Sequence, residues 1–145
     1  MSIFPTRVLL ATDGSKDAEL ATTTAVDLAN STACELHIVY VEQAVYVPGG
    51  AGFWSGVPSG YLEQQARKQL DAMVEKVRSA GGEVADAHLR VGDAAPVIVA
   101  LAEDIEAGLI VIGSRGQGGI RRALMGSVSD AVVRHAHCPV LVVRH

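Results

Sequence analysis

The feature that most restricts the fold is a repeated alternation of short aliphatic runs with helix-patterned segments. Arg7-Val-Leu-Leu-Ala-Thr12, Leu36-His-Ile-Val-Tyr-Val41, Val84 to Val91, Leu109-Ile-Val-Ile112 and Pro139-Val-Leu-Val-Val143 are short and dominated by Val, Ile and Leu, as strands are. Between them, Lys16 to Asn30 carries Ala18, Leu20, Ala21, Ala25, Leu28 and Ala29 at helical spacing. The stretch from about Pro58 to Ala80 repeats the pattern through Leu62, Ala66, Leu70, Met73 and Val77, and Ala94 to Ala107 and Val128 to Ala136 supply two more helices. Gly81-Gly82 and Gly108 are placed to end the second and third helices. Near-continuous aliphatic strands are those buried on both faces, so the alternation predicts an α/β fold: a parallel sheet, helices on both faces, right-handed crossovers. Ligands of such sheets bind beyond the C-terminal ends of the strands.

Size and charge limit the function classes. The chain has 145 residues, one domain's worth, and a single domain over residues 1–145 is expected. It is 49% hydrophobic and only 4% aromatic, an aliphatic-rich globular composition. A formal charge of −4 and a pI near 5.7 provide no general basic field for nucleic acid. No apolar run approaches the roughly 20 residues of a membrane span, and the Met-Ser-Ile-Phe-Pro start lacks a leader pattern, so a cytoplasmic location with no membrane contact is expected. Cys34 and Cys138 form no Cys-x-x-Cys pair and read as buried free thiols. His135-Ala-His137-Cys138 gathers three potential metal ligands, but residues two apart on a helix face different ways and no carboxylate adjoins them in sequence.

The chemistry concentrates after the fourth strand, in Gly113-Ser-Arg-Gly-Gln-Gly-Gly-Ile-Arg-Arg-Ala-Leu-Met-Gly-Ser-Val-Ser-Asp130. Gly113, Gly116, Gly118 and Gly119 allow tight turns that bring backbone N–H groups close to an anion. Gly126-Ser127 opens a helix, whose unpaired N–H groups and dipole favour negative charge. Between Glu106 and Asp130 there is no carboxylate, whereas Arg115, Arg121 and Arg122 all fall there, so positive charge is local in an acidic chain. The segment therefore reads as a phosphate cradle. It also admits a plainer reading, with Ser127 as helix N-cap, Asp130 completing a capping box and the arginines solvated. No Gly-x-x-x-x-Gly-Lys-Ser/Thr occurs, and no Gly-x-Gly-x-x-Gly follows the first strand, which argues against motor-type NTPases and NAD dehydrogenases.

Gly113, Gly116, Gly126 and Ser127 reproduce a Gly-x-x-Gly, nine residues, Gly-Ser/Thr signature, and with it the chain resembles the universal stress protein family in its nucleotide-binding, ATP-binding branch. The resemblance extends through Val8-Leu-Leu-Ala-Thr-Asp-Gly-Ser15, Leu109-Ile-Val-Ile-Gly-Ser114, Ser127-Val-Ser-Asp-Ala-Val-Val133 and Cys138-Pro-Val-Leu-Val-Val143, essentially the whole chain. It implies a five-stranded parallel sheet of order 3-2-1-4-5 with helices on both faces, a Rossmann-like fold of the adenine-nucleotide alpha-hydrolase type. It implies also ATP, AMP or another adenine nucleotide at the strand ends, and a homodimer through Pro139 to Val143. On the resemblance, Ala11 and Thr12 at the end of the first strand and Asp13 after it lie toward the ribose and phosphates, with Asp13 also near any Mg²⁺ carried by the nucleotide. Asp13 reads equally as part of an Asp-Gly turn with Ser15 capping the first helix. Val41 resembles the residue whose backbone pairs with the adenine edge; its alternative is bare core strand. Gly113, Ser114, Arg115, Gly116, Gly118, Gly126, Ser127, Val128 and Ser129 are the implied phosphate and ribose ligands, Ser127 and Ser129 through hydroxyls and amides, Arg115 by charge.

No Gly-x-Ser-x-Gly elbow, Ser-His-Asp set or catalytic carboxylate pair can be read from the chain, and Asp13 is the only plausible acid near the cradle. The expected function is a nucleotide-dependent stress-response regulator whose state is sensed by a protein partner. A slow Mg²⁺-dependent ATP hydrolase and a nucleotide-free dimeric interaction module stay open. The long connection from Gln43 to Gly60 holds Tyr46, Phe53 and the sole tryptophan, Trp54, among glycines, and reads either as a lid at the strand-end rim or as a loop anchored on its own domain.

Overall fold

The computed structural model describes residues 6–12, 16–42, 59–114 and 126–144. In chain order the elements are β1 (Arg7–Ala11), α1 (Lys16–Thr32), β2 (Glu35–Glu42), α2 (Ser59–Ser79), β3 (Asp86–Val91), α3 (Ala94–Asp104), β4 (Leu109–Gly113), α4 (Ser127–His135) and β5 (Val140–Val143). All sheet pairings are parallel and the order is β3-β2-β1-β4-β5, as expected.

β1 is central because its residues are apolar on both sides. Val8, Leu9 and Leu10 are wholly buried. Val8 and Leu10 pack with Ala21, Ala25 and Val26 of α1 and Leu70 and Val77 of α2. Leu9 and Ala11 point the other way, onto Ala95, Ile98 and Leu101 of α3 and Val132 of α4. Alternation along a strand thus splits five residues between two cores, with α1 and α2 on one face and α3 and α4 on the other.

Three helices end by one device, only one of them on glycine. Gly81 (φ +91) follows α2 and lets Gly82 N–H reach the Val77 carbonyl at 2.9 Å and Gly81 N–H the Arg78 carbonyl at 3.0 Å. A Cβ on Gly82 would come within 2.9 Å of Val26 Cγ2 and Val77 Cγ1, so this glycine also sets the α1–α2 approach. After α1 the left-handed residue is Ala33 (φ 57), with Cys34 N–H on the Ala29 carbonyl at 3.0 Å. After α3 it is Glu106 (φ 57), with Ala107 N–H on the Ala102 carbonyl at 2.8 Å. Gly108 is therefore not the terminator expected from sequence; its N–H instead bonds to the Arg7 carbonyl at 3.0 Å. The Arg7 guanidinium adds a bond to the Ile105 carbonyl at 3.1 Å, a cation on the C-terminal end of α3.

The remaining differences are at element ends. The third strand begins at Asp86 rather than Val84, and the expected loop Gln43 to Gly60 loses its last two residues to α2, whose first turn includes Ser59 and Gly60. The loop's other residues, with Tyr46, Phe53 and Trp54, lie outside the described residues. Neither cysteine is in a disulfide, but both are half-buried rather than buried, and burial pushes the Cys138 thiol above its ordinary pKa. Among the described residues no helix is long and apolar enough to cross a membrane.

An L-residue at a left-handed position carries a conformational penalty that glycine does not, partly offset by glycine's greater freedom when unfolded. Ala33→Gly is accordingly expected to stabilise the fold by about 0.5–1 kcal/mol. A urea midpoint that falls in the variant contradicts this reading of the α1 terminus.

Candidate functional site

The site is built where the central strand stops before its neighbour. Ala11, the last residue of β1, stands opposite Val39 and Ile112, whereas β2 runs on to Glu42. Thr12 N–H makes the last rung, to the Val39 carbonyl at 3.3 Å. Beyond it, the orientation of β2 follows from its bonds. Glu35 N–H and the Val39 carbonyl both serve the β1 side, while the Leu36 and Glu42 carbonyls accept from Ala85 and Gly92 on the β3 side. Peptide groups alternate along a strand, so Val41 directs both its N–H and its carbonyl to the side that β1 has left. A donor and an acceptor side by side on one strand edge match the hydrogen-bonding edge of a heterocyclic base.

Across the gap, β4 ends in Gly113 and Ser114. Ser114 is buried, and its N–H bonds to the Val143 carbonyl at 2.8 Å. Its carbonyl is a junction. It accepts from Gly126 N–H and from the Ser129 hydroxyl at 2.8 Å, and the same hydroxyl lies 3.1 Å from the Gly126 carbonyl. The two ends of residues 115–125 are thereby held together, and α4 is fixed with its N-terminus at the strand-end rim.

Gly126 is the N-cap of α4, in extended conformation and without a side-chain cap. The capping-box reading is corrected: Ser127 is the first helical residue, and the Asp130 carboxylate turns along the helix to Arg134 Nε at 2.9 Å. Asp130 N–H makes the first helical bond, to the Gly126 carbonyl at 2.9 Å, so the amides of Ser127, Val128 and Ser129 precede the ladder and face out of the helix end. Together with the helix dipole they favour an anion. Ser127 is exposed there, whereas Ser129 is only 2% exposed. The expectation that the Ser129 hydroxyl donates to a ligand changes accordingly, since its one proton goes to main-chain carbonyls.

Ala11, Thr12, Val41, Gly113, Ser114, Gly126, Ser127, Val128 and Ser129 thus meet at one end of the sheet. Asp13, Arg115, Gly116 and Gly118, with Arg121 and Arg122, lie outside the described residues. The convergence of two donors on the Ser114 carbonyl has no signature in the sequence. Nor has the partner of His137, which stands beyond the end of α4 with Nε2 2.8 Å from Glu103 Oε1 on α3, a carboxylate 34 residues away in sequence that the local reading missed. Among the described residues no group of three or more His, Cys, Asp or Glu is placed to hold a metal ion.

β1 passes into α1 on one face and β4 into α4 on the other, so the crevice is the topological switch point of a Rossmann-like α/β protein. The chain belongs to the universal stress protein family, whose sequence pattern matches residues 5–144. A universal stress protein of Methanocaldococcus jannaschii is 33% identical over 140 residues, covering 95% of this chain and 81% of that protein. In three dimensions the universal stress protein UspA from Lactobacillus plantarum superposes with a TM-score of 0.83 at 28% identity, over 99% of this chain and 100% of that one. A universal stress protein from Archaeoglobus fulgidus, solved in complex with dAMP, superposes at 0.70 with 27% identity over 99% of each chain.

Ser129→Ala removes a donor from a buried carbonyl and is expected to destabilise the fold by about 1–2 kcal/mol. Urea unfolding measures this, and an unchanged midpoint speaks against the bracing role.

Proposed function

We propose that the protein is an adenine-nucleotide-binding regulator of the stress response, acting in the cytoplasm through a nucleotide-dependent state that a protein partner senses. The observation that carries the reading is the Val41 main chain, whose donor and acceptor both face the gap past β1. Adenine presents a complementary acceptor and donor on one edge, so backbone alone can hold it. Ala11 and Thr12 floor the gap, and the amides of Ser127 and Val128 with the α4 dipole receive phosphate oxygens. Gly113 and Gly126 keep side chains out of the path between them, and Ser129 positions the helix end through Ser114. Asp13, Arg115, Gly116 and Gly118 complete the set on the sequence pattern, with Asp13 near any Mg²⁺ that arrives with the nucleotide. The dAMP complex of the Archaeoglobus fulgidus relative supports an adenine nucleotide as the class of ligand.

The residues present fit such a ligand. Among the described residues the crevice is bordered by main-chain donors and acceptors, and Asp130, in the first turn of α4, is paired with Arg134. ATP would bring its own phosphate charge and metal; the protein's contribution is orientation.

Gly126 has φ −73 and ψ 166, which any residue adopts, so Gly126→Val is expected to fold normally while its side chain obstructs the anion path. Calorimetry with AMP and ATP is expected to show affinity reduced by about tenfold or more, ~1.4 kcal/mol, with an unchanged circular dichroism spectrum. Equal affinity in the folded variant removes the assignment. Mass spectrometry of ligand extracted from cell-grown protein identifies the nucleotide, and a turnover assay with Mg²⁺ separates binding from slow hydrolysis.

We propose further that the chain forms a homodimer through β5. Among the described residues Val140–Val143 pairs with β4 alone, and Val140, Leu141 and Val142 are partly exposed on that edge. An aliphatic strand edge with open backbone groups is a ready association surface. Light scattering is expected to give twice the 15.1 kDa chain mass, and a monomer at micromolar concentration contradicts the dimer.

A further inference from the structure

On the face of the sheet that α3 covers, two histidines on adjacent strands face each other. His37 of β2 and His88 of β3 are diagonal neighbours, since His37 pairs with Asp86 and His88 with Val39. Both side chains are 11% exposed. His37 Nδ1 lies 3.3 Å from His88 Nε2, and the rings are 16° from parallel with centroids 5.6 Å apart. A centroid separation so much larger than the N···N distance means that the rings meet edge to edge, nearly coplanar, in the geometry of an N–H···N hydrogen bond.

The proton positions follow from the neighbours. Glu35 Oε1 lies 3.2 Å from His37 Nε2 and 3.2 Å from Arg7 Nε. Hydrogen bonding from His37, then from Arg7, holds the Glu35 carboxyl below its ordinary pKa, so above that range it is an acceptor only. His37 therefore carries its proton on Nε2, its Nδ1 is a bare acceptor, and His88 must donate from Nε2. A single added proton is tolerated if His88 changes tautomer. A second is not, because it sets two N–H donors head to head and two cations side by side.

We propose that this histidine pair is a proton-sensitive clasp that fastens the edge strand β3 to β2 at neutral pH and releases it on mild acidification. Burial is the largest influence on His88 and lowers its pKa from 6.5; Arg90 and His37 act in the same direction, and Asp86, with Oδ2 3.8 Å from Nε2, opposes them. The charged residues of α3, which packs on this face, are Glu103 and Asp104, and Glu103 pairs with His137. Arg7, on β1, is joined to Glu35 and Glu106. A histidine with a depressed folded pKa stabilises the fold above 6.5 and loses that contribution as pH falls below it toward the folded value. Glu35 acts in a separate window, its contribution being lost only as pH falls below 4.5 through its lowered pKa.

Two measurements on the intact chain test the clasp. Nitrogen-15 NMR of the imidazoles at about pH 7.5 is expected to find both His37 and His88 protonated on Nε2. A proton on His88 Nδ1 instead overturns the proposal without any variant. Arg90 shares the strand parity of Gly92, whose N–H bonds to the Glu42 carbonyl of β2, so its amide lies on the β2 side of the edge strand. Its amide protection, corrected for intrinsic exchange, is expected to fall by up to about tenfold on going from about pH 7.5 to about pH 5.5. His88→Gln keeps an N–H donor for His37 Nδ1 but cannot take up a proton, and is expected to remove most of that fall. An equal fall in the variant and the native chain overturns the proposal.

Discussion

The burial of β1 on both faces is the constraint on which the rest of the structure depends. Val8, Leu9 and Leu10 leave no side of this strand for water, so it must lie between two strands and beneath two helical layers. Its partners then diverge at its end. β2 runs on toward Glu42, the chain after β1 crosses one face as α1, and the chain after β4 crosses the other as α4. The crevice is the unavoidable result of a central strand whose neighbours both run on past its end and whose connections part.

What converts that gap into a candidate binding site is the disposition of main-chain groups rather than of reactive side chains. Val41 faces it with a donor and an acceptor, and α4 faces it with amides that no helical bond uses. The Ser114 carbonyl, bonded to both Gly126 N–H and the Ser129 hydroxyl, keeps these two features in register. A buried hydroxyl bridging two backbone carbonyls couples the helix start to the strand end, so the position of the proposed anion site depends on β4 itself.

The opposite end of the sheet works differently. There Arg7 binds the α3 terminus, Glu35 and Glu106, and the Glu35–His37–His88 series ties β1, β2 and β3 together through side chains. These contacts are long in sequence and short in space, and they start from Arg7 and Glu35, paired at the strand end away from the crevice.

Strand and helix order was legible from sequence because the aliphatic runs and the helical spacing are local signals, and burial on both faces implies parallel pairing. The strand order 3-2-1-4-5 came from the family resemblance, and the sheet bears it out. Helix ends were less legible. Gly81 ends α2 as glycine should, but Ala33 and Glu106 take left-handed positions that no residue preference favours, because packing of Cys34 and Ala107 on the cores requires the turn there. The glycine-rich motif marked the strand end and helix start that border the crevice, and the resemblance marked Val41. It was the sheet register that turned the Val41 peptide groups toward the gap, and tertiary closure that gave Ser129 to Ser114 and His37 to His88. Sequence by itself determined which segments form strands and helices and where glycine and charge accumulate, since those depend on neighbours along the chain. Only the tertiary structure decided which polar groups face one another, because their partners are supplied by segments that are distant in the chain.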